Sequence, residues 1–205
     1  MKDWSELAGD ESITKTIGAL KANGINTFVV ENGIEAKEKV FELIPQGAEV
    51  MSMSSVTLDT IGVSKEINES GNYNSDKVKL AKMDRKTQEL EMERIGAAPE
   101  YAVGSVHAVT ENGKVIIASN TGSQLPAYAY GASHVIWVAG TQKIVVNLEQ
   151  GLKRIYEYVL PLESERINKV YNMTSGSNVS KLLIINKEIA PNRLTLILVK
   201  EKLGF

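Results

Sequence analysis

The chain has 205 residues, 43% of them hydrophobic and 23% charged, enough apolar material to bury a core as one domain spanning 1–205. A formal charge of −2 gives no general attraction to nucleic acid or an anionic membrane, and no apolar run approaches the ~20 residues that cross a bilayer. Cysteine is absent, which excludes disulfides, thiolate nucleophiles, cysteine zinc sites and iron–sulfur clusters held by this chain. The opening MKDWSELAGDES lacks the apolar stretch of a signal peptide, so the expected address is the cytoplasm.

In chain order, Ile13, Ile17 and Leu20 share a helix face, with Asp10 or Ser12 as N-cap and Gly24 just beyond the end. Ile25–Val30 reads as a buried strand, and Asn32-Gly33-Ile34-Glu35 as a capping box opening a helix that Pro45 stops. Ala48–Met53 is the next strand. Between Val63 and Ile95 the chain turns polar, a helical excursion at about 63–96. It contains one predicted helix from Asp76 to about Arg94 whose bases come early and acids late, against the helix dipole. That helix reads as a solvated face, with an oligomer or partner contact as the alternative.

The central stretch Val103–Val146 organises the rest. Val103–Thr110 and Val115–Ser119 flank Glu111-Asn112-Gly113, a hairpin signal. A small-residue loop, a short helix near Pro126 and the apolar strand His134–Ala139 follow, which together read as a βαβ unit. Asn147 opens another capped helix that Pro161 breaks or kinks, followed by a second helical segment to Tyr171. Ser175–Asn178 is a linker-like loop. Lys181–Asn186 and Leu194–Lys200 are the last two strands. These elements predict an α/β fold, a mostly parallel sheet covered by helices.

Candidate chemistry sits in the loops after strands, where ligands of such sheets bind. Ser54, Ser55 and Thr57 either cap the next helix or hold an anion beside its free N–H groups. In Asn120-Thr121-Gly122-Ser123-Gln124, Gly122 lets a ligand approach the backbone, and the hydroxyls suit a phosphate or carboxylate. The spacing matches no named nucleotide motif. Gly140 and Lys143 follow the strand ending at Ala139, and Lys143 either neutralises an anion or is solvated. Glu111 is either the first residue of a solvated turn or a nucleophile or general base. His107 and His134 lie in predicted strands, where packing is the expected role, and no metal site is expected.

The chain resembles the LUD domain family (lactate utilisation protein C-like) over roughly residues 10–205. The resemblance rests on Ser54-Ser55-Val56-Thr57 with Gly62, Glu111 with Gly113, Ser119-Asn120-Thr121-Gly122-Ser123 and His134–Gly140. Pro161-Leu162-Glu163 with Arg166, Lys187-Glu188 and Leu203-Gly204-Phe205 also fit. The chain departs from the family pattern at Thr110–Lys114, and at Gln124-Leu125-Pro126, where the family often has an arginine. The resemblance implies a Rossmann-like α/β sandwich akin to sugar-phosphate isomerases, CoA-transferases and formyltetrahydrofolate cyclo-ligases. It also implies a place in lactate oxidation beside iron–sulfur subunits that bring the clusters.

Three readings stay open. One is an accessory or subunit protein of organic-acid utilisation that binds a small anion between the Ser54–Thr57 and Asn120–Gln124 loops. The second is a stand-alone enzyme of CoA-transferase or cyclo-ligase type, with Glu111 as nucleophile or base. The third is a regulatory or scaffold protein, and a homo-oligomer is compatible with each. No cofactor is specified by the sequence.

Overall fold

The computed structural model describes residues 3–172 and 174–205, so Met1 and Lys2 at the head of the N-terminal segment lie outside it. Helix α1 (Asp10–Ala22) buries Ile13, Thr16 and Leu20 and ends ahead of Gly24, which takes a φ of +77°. Its N-cap is Gly9, not Asp10 or Ser12, and Asp10 and Glu11 stand in the first turn, where the dipole favours acids. Strand β1 (Asn26–Val30) leads to α2 (Gly33–Leu43). The Asn32 side chain accepts from the Ile34 and Glu35 N–H groups, and Glu35 accepts from the N–H of Glu31.

After β2 (Glu49–Ser52) come α3 (Val56–Thr60), α4 (Val63–Glu69), the two-residue β3 (Asn74–Ser75), α5 (Asp76–Leu80) and α6 (Arg85–Ala97). The single helix expected over Asp76–Arg94 is therefore two. Asp84 begins the second by accepting from the Lys86 N–H, which places a carboxylate ahead of the basic first turn of α6. Then follow β4 (Tyr101–Gly104), β5 (Ala108–Thr110), β6 (Val115–Ser119), β7 (His134–Gly140) and β8 (Ile144–Val145). The chain closes with α7 (Leu148–Arg154), α8 (Leu160–Tyr171), β9 (Lys181–Ile185) and β10 (Leu194–Val199).

The main sheet has the order β1-β10-β7-β4-β2-β3, and every neighbouring pair is parallel. Strand β10, LTLILV, is buried at every position because both faces are covered. Leu194, Leu196 and Leu198 face a core shared with Leu20, Tyr128 and Trp137, while Ile197 and Val199 face another with Val40, Leu58 and Ile67. The architecture is the expected Rossmann-like α/β layering.

A second sheet, β8-β5-β6-β9, holds the hairpin. Its loop has three residues, with the Gly113 N–H donating to the Thr110 carbonyl at 2.8 Å and Gly113 at φ +77°. This is a tight turn closed by a left-handed glycine. The run Val103–Thr110 is not one strand: β4 belongs to the main sheet and β5 to the second, and Ser105-Val106-His107 cross between them. The break follows from packing, since a Cβ on Gly104 would lie 1.7 Å from the Tyr128 hydroxyl. Strands β6 and β7 likewise lie in different sheets, joined by a π-helical turn at Ala127–Gly131, so the central stretch is not a βαβ unit of one sheet.

Pro161 does not break its helix. The π-helical turn Ile155–Val159 comes immediately before α8, and the wider turn accommodates a residue with no N–H and a ring that crowds the preceding carbonyl.

Candidate functional site

Three adjacent parallel strands, β2, β4 and β7, end side by side, and the chain leaves each end through a short polar segment. Those segments bring together Thr57, Ser105 and Lys143. The Lys143 ammonium donates to Thr57 Oγ1 at 3.2 Å and to Ser105 Oγ at 3.0 Å. Ser105 also donates to Thr57 Oγ1 at 3.3 Å, and Thr57 donates to the Leu203 carbonyl at 3.3 Å, tying the carboxyl-terminal segment to the cluster. The three residues form the floor of a cleft of about 990 Å³, also lined by Ser54, Ser55, His107, Tyr128, residues 119–124 and Phe205.

Lys143 is 2% exposed, so it is not the solvated surface lysine that was one expectation. Burial, and after it the Arg154 charge, push its pKa down to about 7. Arg154 is fully buried on α7. Its Nη1 donates to the His107 carbonyl at 2.6 Å, and it lies over the Tyr158 ring. Its Nε and Nη2 are buried with no hydrogen-bond partner among the described residues. Among those residues neither Lys143 nor Arg154 forms an ion pair.

His107 is held neutral: burial, then the Lys143 and Arg154 charges, push its pKa down to about 3. Its Nδ1 accepts the Ala118 N–H at 3.0 Å, which assigns the ring proton to Nε2. The site is thus a buried cationic pocket with hydroxyl and imidazole donors, a combination that suits a carboxylate or phosphate.

Most of the residues singled out in the sequence meet here, though not all in the expected role. Ser54, Ser55, Thr57, Asn120, Thr121, Gly122, Ser123, Gln124 and Lys143 line the cleft. Ser55 also caps α3 by accepting from the Leu58 N–H. The Asn120–Gln124 loop is bonded within itself: Ser123 N–H donates to Thr121 Oγ1, Gly122 N–H to Ser119 Oγ, and Ser119 Oγ to Gln124 Oε1. Gly122 takes a φ of +90°, a left-handed backbone that favours glycine whatever lies beside it.

Gly140 stands behind the floor, where a Cβ would lie 2.4 Å from the Glu201 carbonyl oxygen. Glu111 does not join the cleft lining. It accepts from Ser12 Oγ and pairs with Lys15, both at 2.8 Å, against α1.

Sequence reasoning missed Ser105, His107 and Arg154. The first two were hidden inside what reads as one continuous strand. Arg154 had a signal: it falls in helical register with Gly151 and one position before the apolar Ile155, and all three are buried. Arg166, on the cleft wall, makes a bidentate pair with Glu163 at 2.7 Å for both contacts. Among the described residues no group of three or more His, Asp or Glu side chains could hold a metal ion, and no helix is long and apolar enough to cross a membrane.

No curated protein matches this chain in sequence. Among solved structures, the crystal structure of a DUF162 family protein from Deinococcus radiodurans aligns with a TM-score of 0.60 at 11% identity, covering 95% of this chain and 99% of that one. At that identity the likeness shows the shared fold. The LUD domain matches residues 13–199, nearly the whole chain, and the protein belongs to the LUD domain family.

Proposed function

We propose that this LUD-domain protein serves lactate or organic-acid utilisation by binding a small organic anion on the floor formed by Thr57, Ser105 and Lys143. One observation carries the reading. Lys143, buried on the cleft floor, has no carboxylate ion-paired to it among the described residues, and neither has Arg154, buried outside the lining against the His107 carbonyl. Buried charge is costly without a counter-charge, and an anionic ligand supplies one. The chain works as an accessory or subunit protein beside iron–sulfur partners, because without cysteine it holds no thiolate-bound cluster. A group-transfer reaction through Glu111 is the weaker reading, since that carboxylate is engaged with Ser12 and Lys15 outside the cleft lining.

The test is thermal stabilisation with lactate, pyruvate, acyl-CoA, nucleotides, folates and sugar phosphates, repeated on Thr57→Val, Ser54→Ala and Thr121→Ala. A ligand at 100 times its dissociation constant stabilises the fold by about 2.7 kcal/mol. Stabilisation by small organic acids that is lost in Thr57→Val supports the reading. Stabilisation by none of these anions refutes it.

A further inference from the structure

We propose that the Lys143 amine is a nucleophile that forms an imine with the carbonyl carbon of a small anionic oxo compound, of the 2-oxo acid class, held in the cleft. This rests on the anion-binding reading above and extends it from binding to covalent chemistry. Three features of the floor carry it.

First, the amine is placed for attack. Lys143 lines the cleft just beyond the end of β7, its Nζ fixed by two side-chain hydrogen bonds, with no carboxylate ion-paired to it among the described residues to hold it as an ammonium. Second, a further buried cation, Arg154, stands close enough to depress it, and desolvation beside a second positive group is how a lysine becomes a nucleophile near neutral pH. Third, both contacts to the amine are hydroxyls, from Thr57 and Ser105, which can accept and donate protons in turn. A lysine serving only as a counter-charge for an anion has no need of two groups that relay protons. The anion-binding reading gives the electrophile its negative charge, and reaction with the amine requires a carbonyl, which together define the substrate class.

The step balances without a further reactant. The Nζ lone pair attacks the carbonyl carbon, the C=O π electrons move to oxygen, and the amine proton passes by way of the Thr57 and Ser105 hydroxyls to that oxygen, giving a carbinolamine. The remaining N–H proton passes by the same hydroxyls to the carbinolamine hydroxyl, the C–O bond breaks with release of water, and the nitrogen lone pair forms the C=N bond. One water is released and no oxidant or reductant is consumed.

The experiment is reductive trapping. The full chain is incubated with pyruvate and sodium cyanoborohydride near neutral pH, and in parallel with lactate, which carries the same carboxylate and no carbonyl. Intact mass and peptide mapping follow. The expected result is one reduced adduct, mapped to Lys143, formed with pyruvate and absent with lactate. Lys143→Arg should form no adduct.

If pyruvate stabilises the protein against heat but leaves Lys143 unlabelled, or labels it no faster than exposed lysines such as Lys15, the imine proposal is overturned and anion binding stands. If pyruvate neither stabilises nor labels, the imine proposal is overturned, while the anion-binding reading fails only if none of the other anions stabilises the protein. Because the mapping is done on the unsubstituted chain, the result does not depend on how well the arginine variant folds.

Discussion

Replacing Lys143 with methionine turns the charge of the cleft floor into a measurable stability. The ordinary lysine pKa of 10.5 is pushed down to about 7 in the folded protein. At about 1.36 kcal/mol per pH unit, that gap corresponds to a cost of about 5 kcal/mol for keeping the ammonium buried. Below pH 7 both folded and unfolded chains carry the proton, so the full cost is present. Between about 7 and 10.5 only the unfolded chain binds it, and the stability of the unsubstituted protein rises with pH.

Methionine removes the charge but also the contacts to Thr57 and Ser105, each worth about 1 kcal/mol net. Ser105 still donates to Thr57, so neither hydroxyl is left without a partner. The variant should therefore be about 3 kcal/mol more stable than the parent near pH 6, equal to it at roughly pH 9, and about 2 kcal/mol less stable by pH 10.5, from the same per-unit and per-bond values. Urea unfolding of both proteins at intervals from pH 6 to 10.5, without ligand, reads this directly. Parallel curves with no crossing would show that Lys143 keeps an ordinary pKa and would remove the electrostatic basis of the site.

Three further predictions follow from the same geometry. Arg154→Gln removes a charge that lowers the Lys143 pKa, so in that background the advantage of Lys143→Met at pH 6 should shrink and the rise of the Lys143 protein with pH should begin at higher pH, while the crossing, set by the unfolded pKa, stays at roughly pH 9. Gly104→Ala puts a Cβ 1.7 Å from the Tyr128 hydroxyl, whose ring is locked edge-on against Trp137. It should destabilise by about 1–3 kcal/mol in urea, and an unchanged midpoint would mean β4 shifts freely. Glu111→Gln breaks the pair with the exposed Lys15, away from the cleft lining. Its thermal response to small organic anions should match the parent, and a lost response would bring Glu111 back as a functional residue.

The main sheet was legible because its strands carry strong local signals. An apolar run such as His134–Ala139 or Leu194–Val199 reads as a strand buried on both faces wherever it stands. Caps at Asn32 and Asn147 were equally plain, since the cap is a bond between residues two or three apart. Sheet membership was not legible. Nothing local distinguishes a β-branched residue that pairs in one sheet from its neighbour that pairs in another, so Val103 and Val109 read as one strand. Their separation depends on Tyr128, whose ring packs over Gly104 from a turn more than twenty residues downstream.

The same limit decided what was seen of the site. Thr57 and Lys143 could be picked out because each follows a recognisable strand end. Ser105 could not, because its strand end exists only when the chain changes sheets. The cleft is made at that change: β4 stops at Gly104, the segment carrying Ser105 and His107 crosses to the second sheet, and the Lys143 amine donates to Ser105 there. Burying a lysine there without a fixed counter-charge costs stability that an apolar residue would spare. On the proposed function, such a residue at the carboxyl ends of the central strands, held by two hydroxyls rather than a carboxylate, takes its counter-charge from the bound anion. The position of Lys143, more than any loop motif, is therefore the feature on which the function of this chain turns.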